Sequence, residues 1–243
     1  MRSFRPYYNL SFNLVSVAVL LFFSVFVAQA GDNKLQRFYE NARVGYKDAS
    51  GKVVVPAKYY AGSEFIGGFA IVVDNGKRGF LNEKGEIAIP LQFEDAGPFV
   101  NGIAKVMLNK KYGFINTEGK WLAEPKYDFA EDFTEGLAVV KLNGKYGYLN
   151  TSCANAIAPA FDNARNFSMG MAPAKKGNLW GYIDTQGNWV IEPKYQDAYG
   201  FAAPGTARIT LNNELFLIDT HGAIRKKIEM KSDEEKEERR GRH

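Results

Sequence analysis

The chain has 243 residues, 46% of them hydrophobic, with 31 Lys and Arg against 27 Asp and Glu. That length suits one β domain or one repeat array. Its single cysteine excludes an internal disulfide framework.

Residues 1–30 read as an address rather than as part of a fold. Arg2 and Arg5 give a positive start, Leu14 to Val27 is an apolar run, and Ala28-Gln29-Ala30 is a small-x-small cleavage site followed by Gly31. The apolar run is short for a membrane span, which needs about 20 residues. A secreted or periplasmic protein cleaved near Ala30, with no membrane span afterwards, is the expectation. An uncleaved anchor is the alternative. Without residues 1–30 the chain holds 29 basic and 27 acidic residues, a net +2. The span 31–224 then holds 21 of each. A pI near 8.9 therefore signals no basic field, and no nucleic-acid partner is expected.

Residues 31–44 read as a linker or N-terminal cap. Lys34 to Ala42 could make a short amphipathic helix around Leu35, Phe38 and Tyr39.

Residues 45–224 repeat themselves at a step of 34. Gly45, Gly79, Gly113, Gly147 and Gly181 keep the step. So do Tyr59, Phe93, Tyr127, Phe161 and Tyr195, and Phe65, Phe99, Phe133, Phe167 and Phe201. Gly68, Gly102, Gly136 and Gly170 follow, with a slip to Gly205. A proline stands in each copy at Pro56, Pro90, Pro125, Pro159 or Pro193. Five copies and a partial sixth, Phe216 to Ile224, result. Helical repeats share this period, but several glycines and a proline per copy leave no run long enough for a stable helix. The apolar runs are short, β-branched or aromatic, and bounded by turn residues, which is strand chemistry.

The turns are written into the residues. Asp48–Gly51, Asn82–Gly85, Asn116–Gly119, Asp184–Gly187 and Asp219–Gly222 have the type I pattern, with an acid or amide first and glycine fourth. Cys153 takes the glycine place in the remaining copy, where a distorted turn is expected. Asn75-Gly76 and Asn143-Gly144 suit two-residue type I′ turns. Each unit is thus read as about three short antiparallel strands and a Pro-aromatic connector. The in-phase aromatics are read as a stacking core, and the later glycines as left-handed positions.

The stretches Lys145–Asn150 (Lys-Tyr-Gly-Tyr-Leu-Asn) and Trp180–Asp184 (Trp-Gly-Tyr-Ile-Asp), with the Gly, Pro and aromatic that follow, resemble the bacterial WG-repeat family, also called KWG repeats. The Trp-Gly pair itself is intact only at Trp180-Gly181; the others are Val44-Gly45, Arg78-Gly79, Tyr112-Gly113 and Tyr146-Gly147. The resemblance covers roughly residues 45–224 and implies a repeat scaffold without a particular activity. The expected fold is all-β: tandem repeats of short antiparallel strands in a solenoid-like array. A small β-propeller is the alternative, although some 34 residues are tight for four strands per blade.

Residues 225–243 hold eight basic and six acidic residues. They read as a charged, disordered tail.

The usual chemistry is missing. His221 sits in a turn and His243 ends the chain, and neither has a motif-spaced Cys, Asp or Ser. No zinc spacing and no nucleotide loop occur. The acids and amides at Asn82, Asn116, Asn150, Asp184 and Asp219 are too sparse for calcium and suit backbone-bonded turns better. Cys153 reads as an incidental small residue, with a free reactive thiol as the sharper alternative. No catalytic, cofactor-binding or metal-binding residue is therefore singled out, and no cofactor is expected. The expected function is a non-catalytic exported scaffold that binds another protein of the cell envelope or extracellular space. The alternative is a glycan-binding or glycan-processing protein that uses exposed aromatics such as Trp121 and Trp189.

Overall fold

The computed structural model describes residues 34–229. The stretch expected to be a cleaved signal, residues 1–30, and most of the charged tail lie outside them. The described residues form strands and no helix, so they include no helix long and apolar enough to cross a membrane.

The strands group into six sheets, each a meander in chain order. The first has three: β1 (Gln36–Glu40), β2 (Arg43–Lys47) and β3 (Val53–Tyr59). The second has four: β4 (Ala61–Gly62), β5 (Phe69–Asp74), β6 (Lys77–Asn82) and β7 (Ile87–Phe93). The third is β8 (Asp95–Ala96), β9 (Ile103–Leu108), β10 (Lys111–Asn116) and β11 (Trp121–Tyr127). The fourth is β12 (Phe129–Ala130), β13 (Leu137–Leu142), β14 (Lys145–Asn150) and β15 (Asn155–Phe161). The fifth is β16 (Asn163–Ala164), β17 (Ala172–Lys176), β18 (Leu179–Ile183) and β19 (Trp189–Tyr195). The sixth is β20 (Asp197–Ala198), β21 (Thr206–Leu211), β22 (Glu214–Asp219) and β23 (Ile224–Ile228). All pairing is antiparallel.

Four strands fit into 34 residues because the first is only two residues long. Two further expectations are corrected. Lys34 to Ala42 is not helical: Gln36–Glu40 pairs with Arg43–Lys47 across a turn at Asn41 and Ala42, both left-handed. Pairing there buries Leu35 and Val44 in the core, a gain that overrides any weak helical tendency. Arg225 to Ile228 are not tail but part of the sixth sheet's outer strand.

The proline is also misplaced by a three-strand reading. It lies inside the outer strand, where the pairing skips. Arg78 faces Phe93, but Phe80 already faces Ile89, so the strand bulges at Pro90 and Leu91. That bulge crosses over the repeat glycine. A Cβ on Gly79 would stand 2.6 Å from the Ile89 carbonyl oxygen, and Gly113 and Gly147 meet Ala123 and Ile157 at the same distance. The invariant step of this glycine is thus a demand of backbone approach.

Packing runs from each sheet to the next. Five hydrophobic clusters join the first sheet to the second, the second to the third, and so on to the sixth. Among the described residues no cluster joins the sixth to the first. The all-β array of stacked repeats holds, with each unit drawn as a four-strand meander, the topology of a propeller blade. At the centre of every junction is an aromatic pair spaced 19 residues apart. Ring centroids lie 5.5 Å apart for Tyr46–Phe65, 4.8 Å for Phe80–Phe99, 5.4 Å for Phe114–Phe133, 4.8 Å for Tyr148–Phe167 and 4.9 Å for Tyr182–Phe201. One sheet buries only one face of its own, so stability rests on these neighbour contacts.

Candidate functional site

Most of the recurring polar groups are occupied by folding. The turn acids and amides accept from the backbone two and four residues on. Asn82 Oδ1 takes Lys84 N and Glu86 N, both at 3.0 Å; Asp184 Oδ1 takes Gln186 N at 3.0 Å and Asn188 N at 2.8 Å. These bonds to the ionised form hold the Asp184 and Asp219 carboxyls below their ordinary range, against the opposing pull of desolvation. His221 belongs to the same device, its N–H donating to Asp219 Oδ1 at 2.9 Å. Among the described residues no three His, Cys, Asp or Glu stand together as a metal site.

The turn at Cys153 is not distorted. Cys153 N donates to Asn150 O at 2.8 Å, as Gly187 N does to Asp184 O at 3.0 Å. Cys153 adopts a left-handed φ of 58° and points its thiol into the cluster between the third and fourth sheets. Burial pushes the thiol pKa up to about 11, so at neutral pH it is a packed apolar group rather than a nucleophile.

The tryptophans are packing residues too. Trp121 stands edge-on to Phe93 at 6.1 Å and Trp189 edge-on to Phe161 at 5.6 Å, each half-buried between successive sheets. Trp180 is buried.

The loop after each two-residue strand carries the remaining polar side chains, and it varies between copies. An ion pair spaced 27 residues apart crosses from one sheet to the next: Arg37–Glu64 at 3.3 Å and Lys105–Asp132 at 3.7 Å. At two other junctions the same places hold Ile71 with Pro98 and Pro173 with Gly200, where neither side chain carries a polar group. Only between the fourth and fifth sheets are they mismatched. Asn166 faces the place of Val139, and its Oδ1 is buried without a hydrogen-bond partner.

A cleft of about 430 Å³ opens there, lined by Phe129, Glu131, Tyr146, Asn166, Phe167 and Ser168 among others. Among the described residues the Glu131 carboxylate has no ion-pair or hydrogen-bond partner, although its N–H is bonded to Val139 O at 2.9 Å. Arg165, also in the wall, is fully engaged. It bonds Asp197 Oδ1 at 2.9 Å and Ala198 O at 2.7 Å. Its guanidinium lies 4.7 Å from the Trp180 ring centre and 4.5 Å from that of Tyr199. Beneath it, the Tyr148 hydroxyl donates to Arg165 O at 2.8 Å. The rim is tied across one repeat step: Glu135 accepts from Met169 N at 2.7 Å and Gly170 N at 2.9 Å. The cleft is therefore walled by engaged groups, with the Glu131 carboxylate unpaired among the described residues and the Asn166 Oδ1 enclosed without a partner. Of these side chains, residue pattern alone pointed only to Phe167, as a member of the aromatic ladder. The signal lay in comparing copies at a 27-residue offset.

A family model described as WG containing repeat matches residues 45–77, 79–112, 112–146, 146–180 and 180–214. No curated relative matches the sequence. Among solved structures the chain is similar to KlHsv2 with its loop 6CD replaced by a Gly-Ser linker, at 10% identity and a TM-score of 0.48 over 82% of this chain and 76% of that one. It is similar to a eukaryotic initiation factor at 13% identity and a TM-score of 0.48, covering 81% of this chain and 63% of the factor. Hsv2 of Kluyveromyces marxianus follows at 11% identity and a TM-score of 0.47, covering 82% and 73%.

Proposed function

The chain belongs to the WG-repeat family, and from that premise we propose that it is a non-catalytic exported scaffold. It binds another protein of the cell envelope or extracellular space through the loop-bearing side of its sheets. Export rests on the charge, apolar run and small-residue order of residues 1–30.

One observation supports this reading above the others. The turn acids and amides that recur from copy to copy are engaged within the array, whereas the cleft between the fourth and fifth sheets presents Glu131 without a partner beside Asn166, whose Oδ1 is buried and unbonded. Walls already tied by hydrogen bonds, with an unpaired carboxylate between them, suit recognition, because less ordering cost remains to be met on binding. A glycan ligand is the second reading. The aromatic lining of the cleft favours it, while the packing of Trp121 and Trp189 argues against a strip built from those rings.

Cell fractionation of the full chain tests export: the expected product is shorter by about 30 residues and leaves the cytoplasm. Cross-linking of the mature chain in the envelope fraction tests binding. A specific adduct lost on substitution at Glu131 is expected. No adduct under any cross-linking chemistry would remove the scaffold reading.

A further inference from the structure

We propose that the cleft beside the second sheet's hairpin binds a carboxylate, that of a glutamate or aspartate side chain on a partner protein. It is built from other residues than the cleft beside Asn166. It rests on the protein-binding reading above and gives that reading a second contact of stated chemistry.

The residue that follows each of the first five outer strands sits in a fixed backbone frame. Its N–H donates at 2.9 Å to the next sheet: Tyr60 to Val73 O, Glu94 to Met107 O, Asp128 to Lys141 O, Asp162 to Lys175 O and Gln196 to Thr210 O. Four of these side chains also tie down the hairpin of that sheet. Glu94 accepts from Lys110 N at 2.9 Å, Asp162 from Gly177 N and Gln196 from Asn213 N, both at 2.7 Å. Asp128 takes Gly144 N in the same way. Where the residue is acidic, a cation stands 17 residues before it: Lys77 at 3.9 Å from Glu94, Lys111 on Asp128, and Lys145 at 2.5 Å from Asp162. Before the neutral Gln196 that place holds Leu179. One copy breaks the match. Arg43 stands in the cation place, but the acid's place is Tyr60, whose side chain turns out to solvent at 72% exposure.

A cleft of about 310 Å³ opens there, lined by Arg43, Tyr60, Val73, Asp74, Asn75 and Gly76. Gly76 is exposed, and among the described residues its N–H has no acceptor. A carboxylate entering this cleft meets what the chain's own acids meet in the next three sheets, a hairpin N–H and a cation, both open to water. Asp74 is the one acid in the wall. Its oxygens are engaged by Arg43 and by Asn75 Nδ2, each at 3.2 Å. The Arg43 bonds to Asp74 and to Lys58 O leave from one terminal nitrogen. Its other donors remain for a second carboxylate, since a guanidinium carries five. Tyr60 and Val73 add apolar wall beside these few polar groups, the usual make-up of a recognition cleft.

The experiment follows the Gly76 amide of the full mature chain by NMR during titration with an alanine pentapeptide, blocked at both ends, that carries a central glutamate. The same peptide with glutamine at that place, and an oligomer of glucuronic acid, run in parallel. A saturable shift of the Gly76 amide is expected with glutamate and none with glutamine. Arg43→Gln should weaken glutamate binding roughly tenfold, since charge-assisted bonds are the stronger ones. Asp74→Asn should strengthen it by removing the like charge from the wall. Tyr60→Glu should abolish it by supplying the carboxylate from the chain itself, as Glu94 does in the next sheet, and should by itself move the Gly76 amide. Tyr60 is exposed, so this change leaves the core intact. Unchanged binding in Tyr60→Glu, an equal shift with glutamine or a preference for the glucuronic acid oligomer would each overturn the proposal. So would no shift with any probe. The adduct that depends on Glu131 is read separately, and its persistence beside an unmoved Gly76 would leave the scaffold reading standing.

Discussion

The third-to-fourth and fourth-to-fifth junctions have the same plan and solve it with different residues. In the fourth-to-fifth, Ile157 of the outer strand packs under Gly187 of the next turn, where an added Cβ would come within 3.0 Å of it. In the third-to-fourth, the equivalent outer-strand residue is Ala123, and the turn residue is Cys153. Volume removed on one side is restored on the other. The polar groups swap as well: the third-to-fourth junction has the Lys105–Asp132 pair and Phe114, and the fourth-to-fifth has Val139, Asn166 and a Tyr148 hydroxyl bonded to Arg165 O. The array therefore conserves filled space and paired charge across a junction rather than residues at a position. Asn166 is where that pairing fails.

The largest way to break the comparison is to remove what both junctions share. Phe133→Ala and Phe167→Ala should each cost about 3–5 kcal/mol. Each should open its own junction first, read as hydrogen exchange rising on the two sheets that flank it and less elsewhere.

The volume exchange is sharper. Ala123→Ile alone should destabilise by about 1–3 kcal/mol through overpacking against Cys153. In a Cys153→Gly background the same change should be close to neutral, because it recreates the Ile–Gly arrangement of the next junction. A double-mutant cycle in urea measures the coupling, expected at about 1–2 kcal/mol. Additive effects would show that the exchange is coincidental. Tyr148→Phe should cost about 1 kcal/mol, since it leaves Arg165 O without its hydroxyl; thermal unfolding reads it.

The smallest effect concerns acid. Lys145 and the Gly177 N–H, bonded to Asp162 at 2.5 and 2.7 Å, hold its carboxyl below the ordinary 3.8. Lys111 does the same for Asp128 across the third-to-fourth junction. A lowered folded pKa contributes stability above the unfolded value and loses it as pH falls through the folded one. Asp162→Asn should therefore remove the stabilisation present above about pH 4, so that parent and variant converge in acid, and the difference at neutral pH should be small because the group is solvent-exposed.

Much of this architecture was legible in residue order. The period, the left-handed glycines Gly68, Gly102, Gly136 and Gly170, the Asx-bonded turns and the Phe65-to-Phe201 ladder all leave local marks. The two-residue strands such as Asp95–Ala96 do not, because two residues carry no alternation. Pro90 looked like a connector because a strand proline is rare, and only the bulge over Gly79 makes room for it. The cleft was illegible for a different reason. Asn166 is unremarkable in its own copy and becomes informative only against Val139, a residue of the neighbouring sheet.

The proline in each outer strand has one more consequence. An outer strand shows unpaired backbone to solvent and could recruit a strand from another molecule. In five sheets a bulge and a missing N–H spoil that template. Ile224–Ile228 has neither proline nor the full bulge, and Arg225, Lys226 and Lys227 take over with mutual repulsion between approaching copies. Neutralising those three side chains should convert the sixth sheet into a sticky rim, and chains would then begin to join edge to edge.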